Sequence, residues 1–393
     1  MGKPKELGIG MLGYAFMGKV HTNAFKKLSY IFHPAPAIPV LKGICGRNEK
    51  AVREAAEQFG YAYATTDWRK LIADPQIAVF DNNGPNSIHK EPTIAALKAG
   101  KHTLVEKPMA MNAEEAQEMV EVAREAAAKG VKSMVCFNNR FAPALLLARR
   151  LIQEGKIGTI YHFRAAKLQD WLIDPRFPLA WRLRREAAAS GALGDLNAHS
   201  IDMARFLTGL EITEVCGVTE TFIKSRPVPL EASGLSGKPG SQEGEVTVDD
   251  ASLGIFRFSN GGLGSIEASR FATGRKAFWR IEVYGSRGAI QWDLTQNNIL
   301  QYFSLDDPLE VQGFRSIQVT EPEAHDFIKY WWPPGHVLGW EHHHCNTIFH
   351  FINCIANDLP IGPWGATFED GLQAQLVLDA FLRSAKQRSW VSV

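Results

Sequence analysis

The sequence predicts a two-domain α/β protein. Residues 1–138 should form a parallel sheet with helices on both faces, and residues 139–393 an α+β domain with a large, open, mostly antiparallel sheet. Apolar runs and helical patterns alternate through the first third, whereas strands with apolar residues at every second position dominate afterwards. The length of 393 residues also exceeds what one hydrophobic core usually supports.

The composition is that of a globular protein, with 45% hydrophobic and 22% charged residues. A net charge of +1 gives no electrostatic basis for binding nucleic acid or an anionic membrane, and we expect neither partner. There is no apolar run of membrane-spanning length and no signal-peptide pattern. Five cysteines without C-x-x-C spacing suit a reducing compartment, so we expect a cytoplasmic protein.

The elements of the first domain follow one another in β-α-β order. Predicted strands cover 7–12, 40–45, 78–80, 103–105 and 133–137, with a helix after residue 18 and others over 49–59, 88–99 and 113–129. Repeated β-α-β units place the functional loops at the carboxyl ends of the strands. Two such ends, 83–89 and 105–108, carry a distinctive set of polar residues.

A G-x-A-x-x-G motif joins the first strand to the first helix and predicts a Rossmann dinucleotide site. Gly13 would allow the tight turn, Ala15 the approach of the pyrophosphate, and Gly18 the packing of helix on strand. Phe16 and Met17 lie in the same loop, at the helix N-terminus, where unpaired N–H groups favour an anion.

The residues at the end of the second strand indicate whether the cofactor is NAD or NADP. An NAD-preferring fold usually ends this strand in Asp or Glu, which binds the ribose hydroxyls. Here Gly46 and Arg47 follow Cys45, and an arginine would accommodate a 2′-phosphate. We therefore predict NADP or NAD with a preference for NADP. The alternative is that Arg47 only faces solvent.

A helical stretch over 191–209 carries an acid–base pair. Asp195 and His199 are four residues apart, so they project from one helix face, and Asp202 shares it approximately. A carboxylate beside an imidazole raises its proton affinity, which suits general acid–base catalysis. An isolated pair of this kind would more often be an incidental feature of a surface helix.

Several short motifs occur in a fixed order along most of the chain. They are G-K-V-H at 18–21, P-N-x-x-H at 85–89, A-G-K-H at 99–102, E-K-P at 106–108, N-R-F at 139–141, and G-D-x-x-x-H-x-x-D at 194–202. In this order they resemble the Gfo/Idh/MocA family of NAD(P)-dependent dehydrogenases. Segments 32–36, 169–171, 178–182 and 191–207 resemble its levoglucosan dehydrogenase-type members most.

The resemblance implies roles for individual residues. Lys107, in a Lys107–Pro108 bond that is often cis in this family, would bind the substrate oxygen. His199 would remove the hydroxyl proton, and Asp195 would hold the groups in register. The expected cofactor contacts are Gly13, Ala15, Phe16, Met17, Gly18, Gly46, Arg47, Asn83, Pro85, Asn86, His89, Glu106 and Lys107.

The second domain should contain a helix over 144–153 and strands over 160–168, 213–223, 251–258, 262–271, 276–285 and 289–294. Residues 227–245 are rich in Gly, Ser, Pro and Glu and look the least ordered, an excursion from the sheet. Helices of the domain can cover only one sheet face, and in the family the other commonly packs on a second subunit. We expect a homodimer or homotetramer.

Aromatic and charged residues of this domain are candidates for contacts with a sugar. Asp170, Trp171, Trp181 and Arg182 precede the acid–base helix, and His336 lies near two further tryptophans. The alternative is that the tryptophans are core and the charged residues surface. The run Glu341–Cys345 suggests a metal site, but on a helix only residues three or four apart share a face. We expect no metal there, and one of these histidines could instead reach the sugar.

The combined features predict NAD(P)-dependent oxidation of a ring secondary hydroxyl of a sugar, anhydrosugar or cyclic polyol to a ketone. One alternative is an NAD-dependent glycosidase, which oxidises its substrate transiently on the same scaffold. Another is a non-catalytic nucleotide or sugar sensor. The presence of Lys107, Asp195 and His199 together argues against the sensor.

Overall fold

A computed structural model describes residues 5–233 and 236–393. They form two compact units. The first combines residues 5–138 with 340–375, and the second contains 139–232, 236–339 and 376–393. The chain therefore returns to the first unit near its C-terminus, whereas our sequence-based boundary assigned everything after residue 138 to one domain.

The first unit is built on a six-stranded parallel sheet. Its strands are β1 (Glu6–Leu12), β2 (Ile38–Cys45), β3 (Tyr63–Thr65), β4 (Val79–Asn82), β5 (His102–Val105) and β6 (Ser133–Val135). They lie in the order β3-β2-β1-β4-β5-β6, which is the Rossmann arrangement. The predicted fold is confirmed, and the ligand side of such a sheet is at the carboxyl ends of β1 and β4, where the strand order reverses.

Five helices follow these strands: α1 (Phe16–Ile31), α2 (Glu49–Phe59), α3 (Trp68–Ala73), α4 (Lys90–Lys98) and α5 (Ala113–Ala127). Their starts follow local capping chemistry. Asn48 accepts a hydrogen bond from the backbone N–H of Ala51, and Asn112 accepts one from Glu115. The short elements β3 and α3 were not predicted, because three- to six-residue elements carry too few residues to show a period.

The second unit contains helices α6 (Pro143–Gln153), α7 (Arg185–Ala188) and α8 (Ala198–Thr208) and a large sheet. Its strands are β7 (Ile160–Leu168), β8 (Ile212–Glu220), β11 (Ala251–Phe258), β12 (Leu263–Ser269), β13 (Phe278–Gly285), β14 (Gly288–Asp293), β15 (Ile299–Ser304), β16 (Arg315–Gln318) and β17 (Val391–Ser392). The order is β16-β15-β14-β13-β7-β12-β11-β8-β17. All neighbours are antiparallel except β7 and β12, so the predicted mostly antiparallel sheet is confirmed.

The predicted excursion over 227–245 forms a separate two-stranded sheet. Strand β9 (Ser225–Ser233) pairs with β10 (Ser236–Glu245). Residues 234 and 235 of this excursion lie outside the described residues. A buried arginine anchors the start of β9. The anchor is Arg226, whose guanidinium donates to the carbonyl oxygens of Leu172 and Asp174 at 2.6 and 2.7 Å.

The two faces of the nine-stranded sheet differ. One face is buried and carries large side chains such as Phe163, Phe256, Trp279 and Trp292. On the other face the paired residues Leu253 and Val218 are 44% and 62% exposed, and Ile255 beside them is 48% exposed. Farther along this open face, Glu282 forms ion pairs with Arg164 and Arg280.

Two long helices complete the chain. Helix α9 (Trp340–Ala356) belongs to the first unit and packs on α1, with the rings of Phe32 and Phe349 stacked at 4.2 Å. In the second unit, Phe381 of α10 (Phe368–Gln387) fills the space beside Gly217 and Gly254. Among the described residues, no helix is long and apolar enough to cross a membrane.

Candidate active site

The glycine loop between β1 and α1 has the geometry of a phosphate site. Gly13 has a φ of 102°, in the left-handed region, and its N–H donates to the Cys45 carbonyl at 2.9 Å. A Cβ on Gly18 would lie 2.2 Å from the Gly13 carbonyl oxygen. Ala15 supplies no capping side chain to the exposed start of α1, and the first turn contains no acid. The loop therefore fits a pyrophosphate group.

The end of β2 is open to solvent at Arg47. The ring of Tyr14 packs on Gly46, where a Cβ would lie 2.0 Å from Tyr14 Cε1. Arg47 is exposed, and the side chain of Asn48 is engaged in capping α2. The first carboxylate after the strand, Glu49, pairs with Arg53. Arg47 is thus an exposed cation at the end of the strand, beside a carboxylate that pairs with another arginine.

The loops after β4 and β5 are tied together by His89. Its ring nitrogens bond to the carbonyl oxygens of Gly84 at 3.0 Å and Pro108 at 2.9 Å. Burial lowers the pKa of His89 against the opposing effect of the two carbonyl oxygens, and the ring braces the two loops. Asn86 is buried, whereas Asn83 and Pro85 are half-buried in the same loop.

Lys107 follows β5 and is half-buried, and the Lys107–Pro108 peptide bond is cis, as the resemblance implies. Its neighbour Glu106 is turned inward. The Glu106 carboxylate contacts His21 Nε2 at 3.2 Å and accepts the Lys107 backbone N–H at 3.2 Å. Glu106, a predicted cofactor contact, therefore faces a buried histidine.

In the second unit, Asp195 lies in a π-helical turn over Leu193–Asn197 that runs directly into α8. Wide turns of this kind are often found at functional sites. Asp249 holds the turn, because its carboxylate accepts the backbone N–H groups of Gly191 and Leu193 at 2.6 and 2.7 Å. A Cβ on Gly191 would lie 1.7 Å from the Asp249 carbonyl oxygen.

Asp195 and His199 are each fixed by a neighbour. Arg270, only 1% exposed, donates to the Asp195 carboxylate at 2.9 Å, while the Asp195 side chain keeps 29% of its exposure. The amide of Asn139 lies 3.3 Å from His199 Nδ1, and the Trp279 ring lies 5.9 Å from the imidazole. The pair is therefore held in place without being sealed from solvent.

Asp202 has a different environment from Asp195. The guanidinium Nε of buried Arg140 lies 3.0 and 3.1 Å from the two Asp202 carboxylate oxygens, and both side chains are almost inaccessible. This charge pair anchors α8 within its unit. Asp202, which we predicted to share a helix face with His199, therefore belongs to a structural ion pair.

Arg270 links three of the predicted sugar contacts. Its guanidinium lies 5.4 Å from the Trp171 ring and donates to the Arg182 carbonyl at 3.4 Å. Arg182 in turn stacks on Trp181 at 4.4 Å. The structure thereby joins Trp171, Trp181 and Arg182 to Asp195 through one buried arginine.

Two other predicted sugar contacts, Asp170 and His336, have partners other than Arg270. Asp170 is held by Lys276 at 2.9 Å and by the Gly274 N–H, and these hydrogen bonds lower the pKa of its carboxyl. His336 is exposed and bonds to the Pro333 carbonyl oxygen in a loop of its own.

Three residues beside Asp195 and His199 were not predicted from the sequence: Arg270, Lys167 and Trp279. Lys167 is buried, with its Nζ 4.1 Å from the Trp279 ring that flanks His199. A signal for these residues existed. Lys167 and Arg270 are cations at or just beyond the ends of the apolar strands β7 and β12, where charge is unexpected unless it is paired.

Residues 7–134 match a family described as an oxidoreductase family with an NAD-binding Rossmann fold. Residues 145–291 match the GFO/IDH/MocA C-terminal domain. The chain belongs to the Gfo/Idh/MocA family. It is an oxidoreductase with an NAD-binding domain, and the resemblance noted from its motifs is confirmed.

Three members of the Gfo/Idh/MocA family illustrate the similarity. Levoglucosan dehydrogenase of Pseudarthrobacter phenanthrenivorans is 40% identical over 393 residues, which cover 99% of this chain and 98% of that protein. A levoglucosan dehydrogenase structure in complex with NADH and levoglucosan is 39% identical, covers 99% of both chains and has a TM-score of 0.91. An oxidoreductase domain protein from Kribbella flavida is 44% identical over 99% of both chains, with a TM-score of 0.93. None of them supports the glycosidase or sensor alternative.

Proposed function

We propose that this protein oxidises a ring secondary hydroxyl of a sugar or anhydrosugar to a ketone, with a nicotinamide cofactor as hydride acceptor. The observation that carries the proposal is the 40% identity to a levoglucosan dehydrogenase across nearly the whole chain. The braced pair Asp195 and His199 is the acid–base group that such a reaction needs.

When bound, a nicotinamide cofactor would supply the hydride acceptor, and the residues of the chain handle the proton and the oxygen. His199 takes the hydroxyl proton, with its ring held by Asn139. Lys107 hydrogen-bonds the substrate oxygen and stabilises the charge that develops there. Asp195, oriented by Arg270, positions the reacting hydroxyl.

The cofactor is held by the glycine loop, the Gly46–Arg47 turn and the loop 83–89. The left-handed Gly13 and the uncapped start of α1 support a pyrophosphate contact. Glu106, another predicted cofactor contact, directs its carboxylate toward His21. NADP is preferred, since Arg47 is exposed and Glu49, the first carboxylate after the strand, pairs with Arg53.

The sugar contacts are Trp171, Trp181 and Arg182, with Asp170 and His336 at the edge. Indole faces cover the C–H patches of a pyranose, while charged groups bind its hydroxyls. The bridging position of Arg270 supports this grouping for the first three residues.

The open face of the nine-stranded sheet pairs with a second copy of the chain in a homodimer or homotetramer. An exposed apolar patch on that face consists of Val218, Leu253 and Ile255. Contact between such a patch and water is unfavourable, and a second copy of the chain would cover it.

Activity with a panel of anhydrosugars, inositols and aldoses, each with NAD and NADP, tests the function. We expect net cofactor reduction and a ketone product with an anhydrosugar or pyranose. Sugar turnover without net cofactor reduction would instead favour the glycosidase alternative, and the absence of turnover with every substrate would contradict the proposal.

A further inference from the structure

Five ionisable side chains meet inside the first unit, and the proposed reaction uses none of them. This His21 cluster consists of His21, Asp81, Glu106, Cys136 and His344. Each residue is at most 7% exposed. They come from α1, β4, the ends of β5 and β6, and α9, so the cluster joins the carboxyl ends of three strands to two helices.

Four of these residues have the donors and the spacing of a metal site. One ligand atom each from His21, Glu106, Cys136 and His344 lies within 4.8 Å of the other three. His21 Nε2 lies 3.2 Å from Glu106 Oε1 and 3.5 Å from Cys136 Sγ. Ligand atoms around a tetrahedral Zn²⁺ are about 3.3–3.6 Å apart, given its bond lengths, so two of these spacings already fit.

His344 supplies an independent observation. Its ring is 1% exposed, and neither nitrogen has a hydrogen-bond partner among the residues that the structure describes. The ring packs between Trp340, at 4.5 Å, and His21, at 5.6 Å. Buried polar groups nearly always have a partner, and a metal ion at the centre of the cluster would supply one.

We propose that His21, Glu106, Cys136 and His344 bind one structural Zn²⁺ ion. Asp81 is the outer carboxylate, because it bonds His21 Nδ1 at 2.9 Å and leaves Nε2 for the metal. Four protein ligands in a buried, closed site are typical of structural rather than catalytic zinc. From the sequence we expected no metal, because neighbours on one helix cannot surround an ion; only His344 comes from α9.

Cobalt substitution of the full-length protein tests the site. After removal of metal with a chelator, one equivalent of Co²⁺ should give the absorption of a tetrahedral ion, with a thiolate-to-cobalt charge-transfer band. Zn²⁺ should displace the Co²⁺ and abolish this absorption, because both ions would use the same four ligands. The absence of a cobalt spectrum in the wild-type protein would overturn the proposal.

Variants identify the ligands. Cys136→Ser should abolish the charge-transfer band, and Asp81→Asn should weaken Zn²⁺ binding about 10–100-fold, as loss of an outer partner does. Cys354→Ser is the matched control, since Cys354 is also buried and lies 3.5 Å from a histidine, His350. A spectrum that survives Cys136→Ser, or is lost in Cys354→Ser, would contradict this assignment. If Cys136→Ser does not fold, Asp81→Asn and the thiolate-to-cobalt band of the wild type decide.

Discussion

Two buried histidines illustrate how the same side chain serves different ends. His21 is inaccessible to solvent and surrounded by four other ionisable groups. His199 belongs to a second cluster, the His199 cluster, which consists of Asn139, Asp195, His199 and Arg270. In that cluster the side chain of Asp195 is 29% exposed. Catalysis needs a group that the substrate can reach, whereas a structural metal site needs ligands that water cannot reach. We therefore propose that the His21 cluster serves stability and the His199 cluster serves the reaction.

Removing the acid–base group should produce the largest effect. We expect His199→Ala to lower turnover about 10²–10⁴-fold, the usual contribution of a positioned base, with cofactor affinity and melting temperature unchanged. Lys107→Ala should give a loss of the same order. Steady-state kinetics and cofactor titration measure both. Turnover close to wild type in His199→Ala would transfer the role of base to Lys107.

Asp195→Asn should be milder, because Asp195 orients the substrate and does not hold the transferred proton. Loss of a charged hydrogen bond costs about 1.5–3 kcal/mol, which predicts a loss of about 10–150-fold in kcat/KM. The pH dependence of kcat should keep its wild-type shape. A displaced pH profile, with a loss as large as that of His199→Ala, would show that Asp195 shares the proton.

Arg47→Ala should weaken NADP binding about tenfold and leave NAD binding unchanged. The expected loss is at the lower end of the free energies that charged contacts contribute, because Arg47 is exposed. Arg53→Ala is the matched control, since Arg53 is an exposed arginine of the adjoining helix that pairs with Glu49. Equal affinities of the wild type for both cofactors, unaltered in Arg47→Ala, would exclude the predicted preference.

Leu253→Lys should have the smallest effect on turnover and change only the assembly. A lysine on the open sheet face would place a charge where two copies meet, and light scattering should detect monomers. Leu309→Lys is the control, because Leu309 is 83% exposed outside the sheet. A wild-type protein that is already monomeric at micromolar concentration would contradict the proposed dimer.

The fold was predictable because its signals are local. Apolar runs, the glycine loop and capping asparagines each lie within a few residues of the element that they define. The short strands β3, β16 and β17 contain two to four residues and leave no periodic signal. The return of residues 340–375 to the first unit depends on contacts such as that between Phe32 and Phe349, which no local pattern encodes.

The candidate site was predictable to the extent that its residues are neighbours in sequence. Asp195 and His199 are recognisable because four residues separate them on a helix. Arg270 and the His21 cluster are not, since the first comes from a distant strand and the second joins residues as far apart as His21 and His344. Such sets form only when the sheet brings strand ends together.

The central claim is net hydride transfer from a sugar carbon to the nicotinamide, and isotope transfer tests it most directly. An anhydrosugar or pyranose that is turned over in the substrate panel is prepared with deuterium on its oxidised carbon and incubated with the preferred cofactor. We predict one equivalent of deuterated reduced cofactor for each ketone formed, and none in His199→Ala on the same timescale. Consumption of the sugar with no deuterium in the free cofactor pool would contradict the account.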